Sequence, residues 1–120
     1  MTSQQADLFQ QPPAMEYTLV AQCGNAELSQ YFTPFWAAAE LWDRDFSWVS
    51  SADVVIEPTC GPGPFLAAIP ESVPAFGVEI DPDLAAIARR ETGRECIVGD
   101  VCNVAFPSEP TVAVGNPHFP

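Results

Sequence analysis

An open α/β sheet of about four parallel strands with flanking helices is the fold this sequence predicts, and three observations predict it. Short apolar runs stopped by proline, glycine or an acid recur along the chain: DVVIEP at 53–58, AFGVEID at 75–81, ECIVGD at 95–100 and TVAVGN at 111–116. Helical patterns or tight turns separate them at a spacing that suits βαβ units. Residues able to do chemistry fall at the ends of all four runs, where an open parallel sheet holds its ligand. The predicted architecture is the opening half of a doubly wound sheet.

The elements follow in order. Residues 1–15 are polar and Gln-rich, ending in Gln11-Pro12-Pro13, and read as a flexible arm; residues 16–120 read as one folded domain. Tyr17 to Gln22 suits a short strand or an ordered loop. Thr33-Pro34 opens a helix, with Thr33 as N-cap and Pro34 at the first helical position, running to about Asp43. After the first strand, TCGPGP at 59–64 is a tight turn, and residues 64–69 form a short helix stopped by Pro70. Asp81 caps the next helix and Pro82 begins it. Leu84, Ile87 and Ala88 form its apolar stripe, and Gly93 its C-terminal cap.

Composition narrows the function classes. With 48% hydrophobic residues, the 120-residue chain can build a small core. The formal net charge is -12, and the only cations besides one histidine are Arg44, Arg89, Arg90 and Arg94. That balance argues against a nucleic-acid surface on this segment, because phosphate contacts need clustered positive charge. The four cysteines, Cys23, Cys60, Cys96 and Cys102, form no C-x-x-C pair, so no metal site is expected. They read as reduced cysteines of a cytoplasmic protein. No signal peptide and no membrane span are expected.

Four features carry the candidate chemistry. Glu57-Pro58-Thr59-Cys60-Gly61-Pro62-Gly63 follows the first strand. Gly61 and Gly63 remove side chains where backbone must pass close to a ligand. Leu66 stands where a dinucleotide G-x-G-x-x-G loop has its third glycine, and a chain without lysine has no Walker loop. The acid before the loop suits an amine-bearing ligand. Glu79, ending the second strand, is placed to accept hydrogen bonds from ribose hydroxyls. Asp100, ending the third, can accept from an exocyclic amine, or serve as a turn residue. Asn116-Pro117-His118-Phe119 follows the fourth. There Asn offers an amide, proline stiffens the loop, and Phe offers a face for stacking. His118 has no partner acid or nucleophile beside it and is not assigned a catalytic role.

These residues, in this order, resemble class I S-adenosylmethionine-dependent methyltransferases, and within them the DNA adenine-N6 enzymes. Tyr31-Phe32-Thr33-Pro34 resembles the segment that covers the cofactor, and residues 56–65, IEPTCGPGPF, its glycine loop. Glu79 matches the ribose acid, Asp100 the adenine-binding acid, and residues 116–119 the Asn/Asp-Pro-Pro-aromatic loop. The resemblance implies a partial Rossmann-like methyltransferase sheet and S-adenosyl-L-methionine as cofactor. It implies cofactor contacts at Thr33, Glu57, Cys60, Gly61, Gly63, Glu79, Asp100 and Val101. Catalysis would fall to Asn116, Pro117 and Phe119, acting on a flipped adenine in DNA.

Two departures accompany it. His118 stands where the family has a second proline. The chain also reaches only just past the loop, whereas the family continues with three strands, their helices and a target-recognition region. A truncated domain is therefore expected, with the DNA-contacting basic surface and a complementing C-terminal half supplied elsewhere. Two alternatives stay open: a catalytically inactive remnant or cofactor-binding interaction module, and an N-methyltransferase acting on RNA or protein.

Overall fold

The structure, a computed structural model, describes residues 32–108 and 111–117. The arm at 1–15, the segment Tyr17 to Gln22, Cys23, Tyr31, His118 and Phe119 lie outside the described residues. The order is α1 (Phe35–Asp45), β1 (Val54–Glu57), α2 (Pro64–Ala68), β2 (Ala75–Glu79), α3 (Pro82–Thr92), β3 (Glu95–Val98), a 3-10 turn (Val101–Asn103) and β4 (Thr111–Ala113). The strands form one sheet in the order β3-β2-β1-β4, and every neighbouring pair is parallel. The predicted α/β class and its four parallel strands are therefore present.

Strand order follows from burial. Val55 and Ile56 point to opposite faces of β1 by the two-residue period of a strand, and both are buried. A strand buried on both faces belongs in the middle of a parallel sheet, and β1 pairs with β2 on one side and β4 on the other. The chain moves outward from β1 through β2 to β3, then returns to β1's other edge as β4. The reversal leaves a crevice at the carboxyl ends of β1 and β4.

One core ties the helices to the sheet. Ala38 and Trp42 of α1, Phe65 and Leu66 of α2, and Ala85 and Ala88 of α3 meet Val55, Cys96 and Val114. Trp42 stacks on Phe46 with ring centroids 5.7 Å apart, closing the end of α1. α3 forms as its sequence dictates. Asp81 accepts from the Asp83 N–H at 2.9 Å, Pro82 starts the first turn, and Gly93 ends the helix at φ +67°.

Elsewhere the elements are differently bounded. Pro34, not Thr33, is the N-cap of α1; no side chain caps that end, and the helix runs two residues past Asp43. The helix after the glycine loop stops at Ala68, with Ile69 already extended. Each predicted strand is shorter than its apolar run. Ile80 lies past the end of β2, while Gly99 and Val114, just past β3 and β4, each still donate one backbone bond to the neighbouring strand, to Glu79 and Ile56 respectively.

The four arginines are all engaged. Arg44 pairs with Asp45 at 2.9 Å and Arg90 with Glu91 at 3.1 Å. Arg89 donates to the Cys96 carbonyl, joining α3 to β3. Arg94 donates to the carbonyls of Val73, Ile69 and Pro70 at 2.9, 3.1 and 2.7 Å, tying the start of β3 to the turn after α2. Removing it leaves three carbonyls without that donor. Arg94→Ala is expected to lower unfolding free energy by about 2 kcal/mol, read as an earlier urea midpoint at unchanged slope.

Candidate functional site

The crevice at the reversal point opens to solvent and is lined by Phe32, Thr33, Thr59, Pro62, Pro64 and Phe65 together with Glu57, Cys60, Gly61 and Asn116. Five residues singled out in the sequence thus meet in one place: Thr33, Glu57, Cys60, Gly61 and Asn116. They come from three separate segments. The Asn116 amide donates to the Thr33 hydroxyl at 3.4 Å, which links the loop after β4 to the segment before α1.

Glu57 ends β1 and is 2% exposed. One carboxyl oxygen accepts from the Thr59 N–H at 3.0 Å, which closes the turn into the glycine loop. Both carboxyl oxygens lie against Gly115. A Cβ at that position would stand 2.7 Å from Oε2 and nearer still to Oε1. Glycine at 115 is thus a steric requirement of the buried acid. Burial pushes the Glu57 carboxyl up to about 7; the Thr59 N–H opposes this and the nearby Glu79 adds to it.

This sets a sign for stability. Between the ordinary carboxyl value of 4.5 and about 7, the folded chain holds a proton at Glu57 that the unfolded chain has released. Stability contributed through this group is therefore lost as pH rises through that window. Glu57→Gln keeps an acceptor for Thr59 without the charge. Its stability relative to the parent is expected to grow from pH 4.5 to 7 and then level off, at about 1.4 kcal/mol per pH unit within the window. Melting curves of the two chains across pH would show it, and a constant difference would rule it out.

Glu79 ends β2 and is also buried. Its Oε2 accepts from the Gly61 N–H at 2.8 Å and its Oε1 from the Asp81 N–H at 3.1 Å. One carboxyl therefore fixes the glycine loop and the turn into α3 together. Each oxygen keeps a further acceptor site for a ligand hydroxyl. Gly61 lies at φ +55°, with the Phe32 ring 3.3 Å from where a Cβ would be. A side chain there would strain the backbone and strike the aromatic.

Gly63, Asp100, Val101 and Pro117 are not among the residues that line the crevice, and Cys60 has a second neighbour. Gly63 is buried away from the crevice lining; a Cβ there would meet Thr92 Cγ2 at 2.9 Å and Ala88 Cβ at 3.2 Å, so it lets the glycine loop pack onto α3. Cys60 lines the crevice, but its thiol lies 3.3 Å from the Cys96 sulfur. Asp100 is exposed and accepts from the Cys102 N–H at 2.9 Å, so it caps the turn that contains Val101. The Gly99 N–H donates to the Glu79 carbonyl at 3.0 Å, which keeps Asp100 and Val101 beside the end of β2. Pro117 is exposed after Asn116. Phe119 lies outside the described residues. The sequence gives neither Phe32, one of the segment 31–34, nor Gly115, one of the run 111–116, a role of its own. Only the Gly-Asn-Pro run marks Gly115 in the sequence, and nothing there says that an acid packs on it.

Comparison with protein-family models finds no match, and comparison with curated proteins finds none either. Solved structures do match. An RNA methyltransferase from Salinibacter ruber, in complex with S-adenosyl-L-homocysteine, superposes with TM-score 0.55 at 27% identity over 68% of this chain and 57% of its own length. A TehB-like S-adenosylmethionine-dependent methyltransferase from Corynebacterium glutamicum superposes with TM-score 0.50 at 22% identity, over 85% of this chain and 52% of its own. The chain thus has the Rossmann-like fold of class I methyltransferases. It spans little more than half the length of either protein.

Proposed function

We propose that the crevice binds S-adenosyl-L-methionine and that the chain serves methyl transfer to the N6 amine of adenine in DNA. The observation that carries this is the meeting of Thr33, Glu57, Gly61 and Asn116 at the reversal point of a sheet shared with methyltransferases. The donor set fits the cofactor. Glu79 retains acceptor sites for ribose hydroxyls, and Glu57 offers a carboxyl to an ammonium group. Exposed Asp100, which caps the turn that begins at Val101, offers an acceptor for a purine amine.

When bound, the cofactor supplies an electrophilic methyl group. The chain's own residues do the rest. Gly61 gives backbone room, and Glu79 holds that backbone in place. The Asn116 side chain, with the Pro117 carbonyl, would accept hydrogen bonds from the acceptor amine and orient its lone pair. Phe119 would stack on the base. Positioning and electrostatics lower the barrier, with no covalent intermediate on the protein.

A second reading has its own support: the Salinibacter protein, 27% identical, is an RNA methyltransferase, which favours an RNA base as the acceptor at the same loop. The test has two stages. Calorimetric titration with S-adenosylhomocysteine asks whether the site exists. Transfer of labelled methyl groups to DNA and RNA, with and without a C-terminal partner fragment, then asks for the acceptor. A folded chain that binds no S-adenosylhomocysteine would end the proposal. Labelling of RNA alone would replace DNA by RNA.

A further inference from the structure

We propose that Cys60 and Cys96 form an oxidisable dithiol, which a hydroperoxide closes into a disulfide tying the glycine loop to β3. Their sulfurs are 3.3 Å apart, both side chains are buried, and they lie 36 residues apart in the chain. A disulfide needs about 2.05 Å, so closure asks for a little over 1 Å of approach.

The approach is built into the sheet. Cys96 pairs in register with Gly77 of β2, and β2 lies between β1 and β3. To reach Cys96, the Cys60 side chain crosses over β2 at Gly77. A Cβ at 77 would stand 2.7 Å from the Cys60 sulfur and 2.9 Å from its Cβ. The glycine opens the space in which the thiols meet.

The two sulfurs are not equivalent. The Cys60 thiol can donate to the Cys96 sulfur or to the Gly61 carbonyl at 3.5 Å. The Cys60 thiol, with a smaller contribution from the Arg89 guanidinium, favours the thiolate at Cys96 against the opposing effect of burial, while the same contact and burial hold the proton on Cys60. The Cys96 thiolate attacks the O–O bond of the hydroperoxide and takes one oxygen as a sulfenic acid; the alkoxide leaves and is protonated to an alcohol. Cys60, losing its proton, then attacks the Cys96 sulfur and displaces the hydroxyl as water. In sum, two thiols and one hydroperoxide give one disulfide, one alcohol and one water.

Closure draws on Cys60, whose neighbour Gly61 has its N–H held by Glu79. A shift there disturbs the loop assigned above to the cofactor; this consequence rests on the proposed function, whereas the linkage does not. The experiment treats the reduced full-length chain with hydrogen peroxide, blocks residual thiols with N-ethylmaleimide, and maps peptides by mass. Loss of two of the four thiols, as a Cys60–Cys96 link that dithiothreitol reverses and Cys96→Ser prevents, is expected. Four blocked thiols in the folded chain, or a link through Cys23 or Cys102, would overturn the proposal. S-adenosylhomocysteine affinity is expected to fall about tenfold on oxidation and to return on reduction. Equal affinity of linked and reduced chains would overturn the coupling. No binding by the reduced chain would count against the proposed function and leave the linkage to be decided by mass.

Discussion

Glu79→Ala is expected to abolish detectable binding of S-adenosylhomocysteine and to lower unfolding free energy by about 4 kcal/mol. The magnitude follows from two hydrogen bonds to one buried carboxyl, from Gly61 and from Asp81. Bonds to a charged group contribute about 1.5–3 kcal/mol each, and their loss leaves both N–H groups to find new partners. The glycine loop loses its tether in the same step, so binding falls more than stability alone implies. Glu79→Gln keeps one carbonyl oxygen and is expected to lose roughly half as much stability. Urea unfolding gives the first quantity and calorimetry the second. An alanine variant of parental stability would show that the carboxyl does not hold the loop.

Gly115→Ala is expected to be the next most damaging single change, by about 3 kcal/mol, although it adds one methyl group at an exposed residue. Its Cβ would fall onto the Glu57 carboxyl, which is pinned by Thr59 and walled in by the core. The damage should depend on Glu57. In the double variant Gly115→Ala/Glu57→Ala the carboxyl is gone, and a coupling of about 1–3 kcal/mol in the direction of rescue is expected from a double-mutant cycle. Additive losses would place the strain in the backbone at 115 instead.

Much of this fold is legible in the sequence because its signals are local. Asp81-Pro82 and Gly93 bracket α3 by capping chemistry alone. The apolar runs mark all four strands, although only β1 and β2 are buried at consecutive residues and so on both faces. Strand ends are less legible. Ile80, Gly99 and Val114 continue an apolar or small-residue pattern but fall just past the strand ends, because the loops they enter are set by contacts across the sheet. Thr33 illustrates the same point. It has the chemistry of an N-cap, yet Pro34 takes that position while the Thr33 hydroxyl meets Asn116, 83 residues away.

The site divides similarly. Glu57, Glu79 and Asn116 are recognisable as acids and an amide ending strands. What Gly63 and Gly77 touch is not, since each glycine answers to residues distant in the chain: Thr92 and Ala88 for one, Cys60 and Leu66 for the other. Cys60 reads as part of a ligand loop, but its sulfur belongs equally to β3.

The engagement of all four arginines has a thermodynamic corollary. Two are neutralised by an adjacent acid and two are spent on backbone carbonyls, on a chain with 16 acidic residues. A polyanion held by protein cations sheds condensed counterions, and that entropy makes such complexes weaken as electrolyte is added. The described residues offer little of that drive. Against a nucleic acid they present mainly like charge, which added electrolyte screens. Any association of a nucleic acid with the described residues should therefore tighten as ionic strength rises.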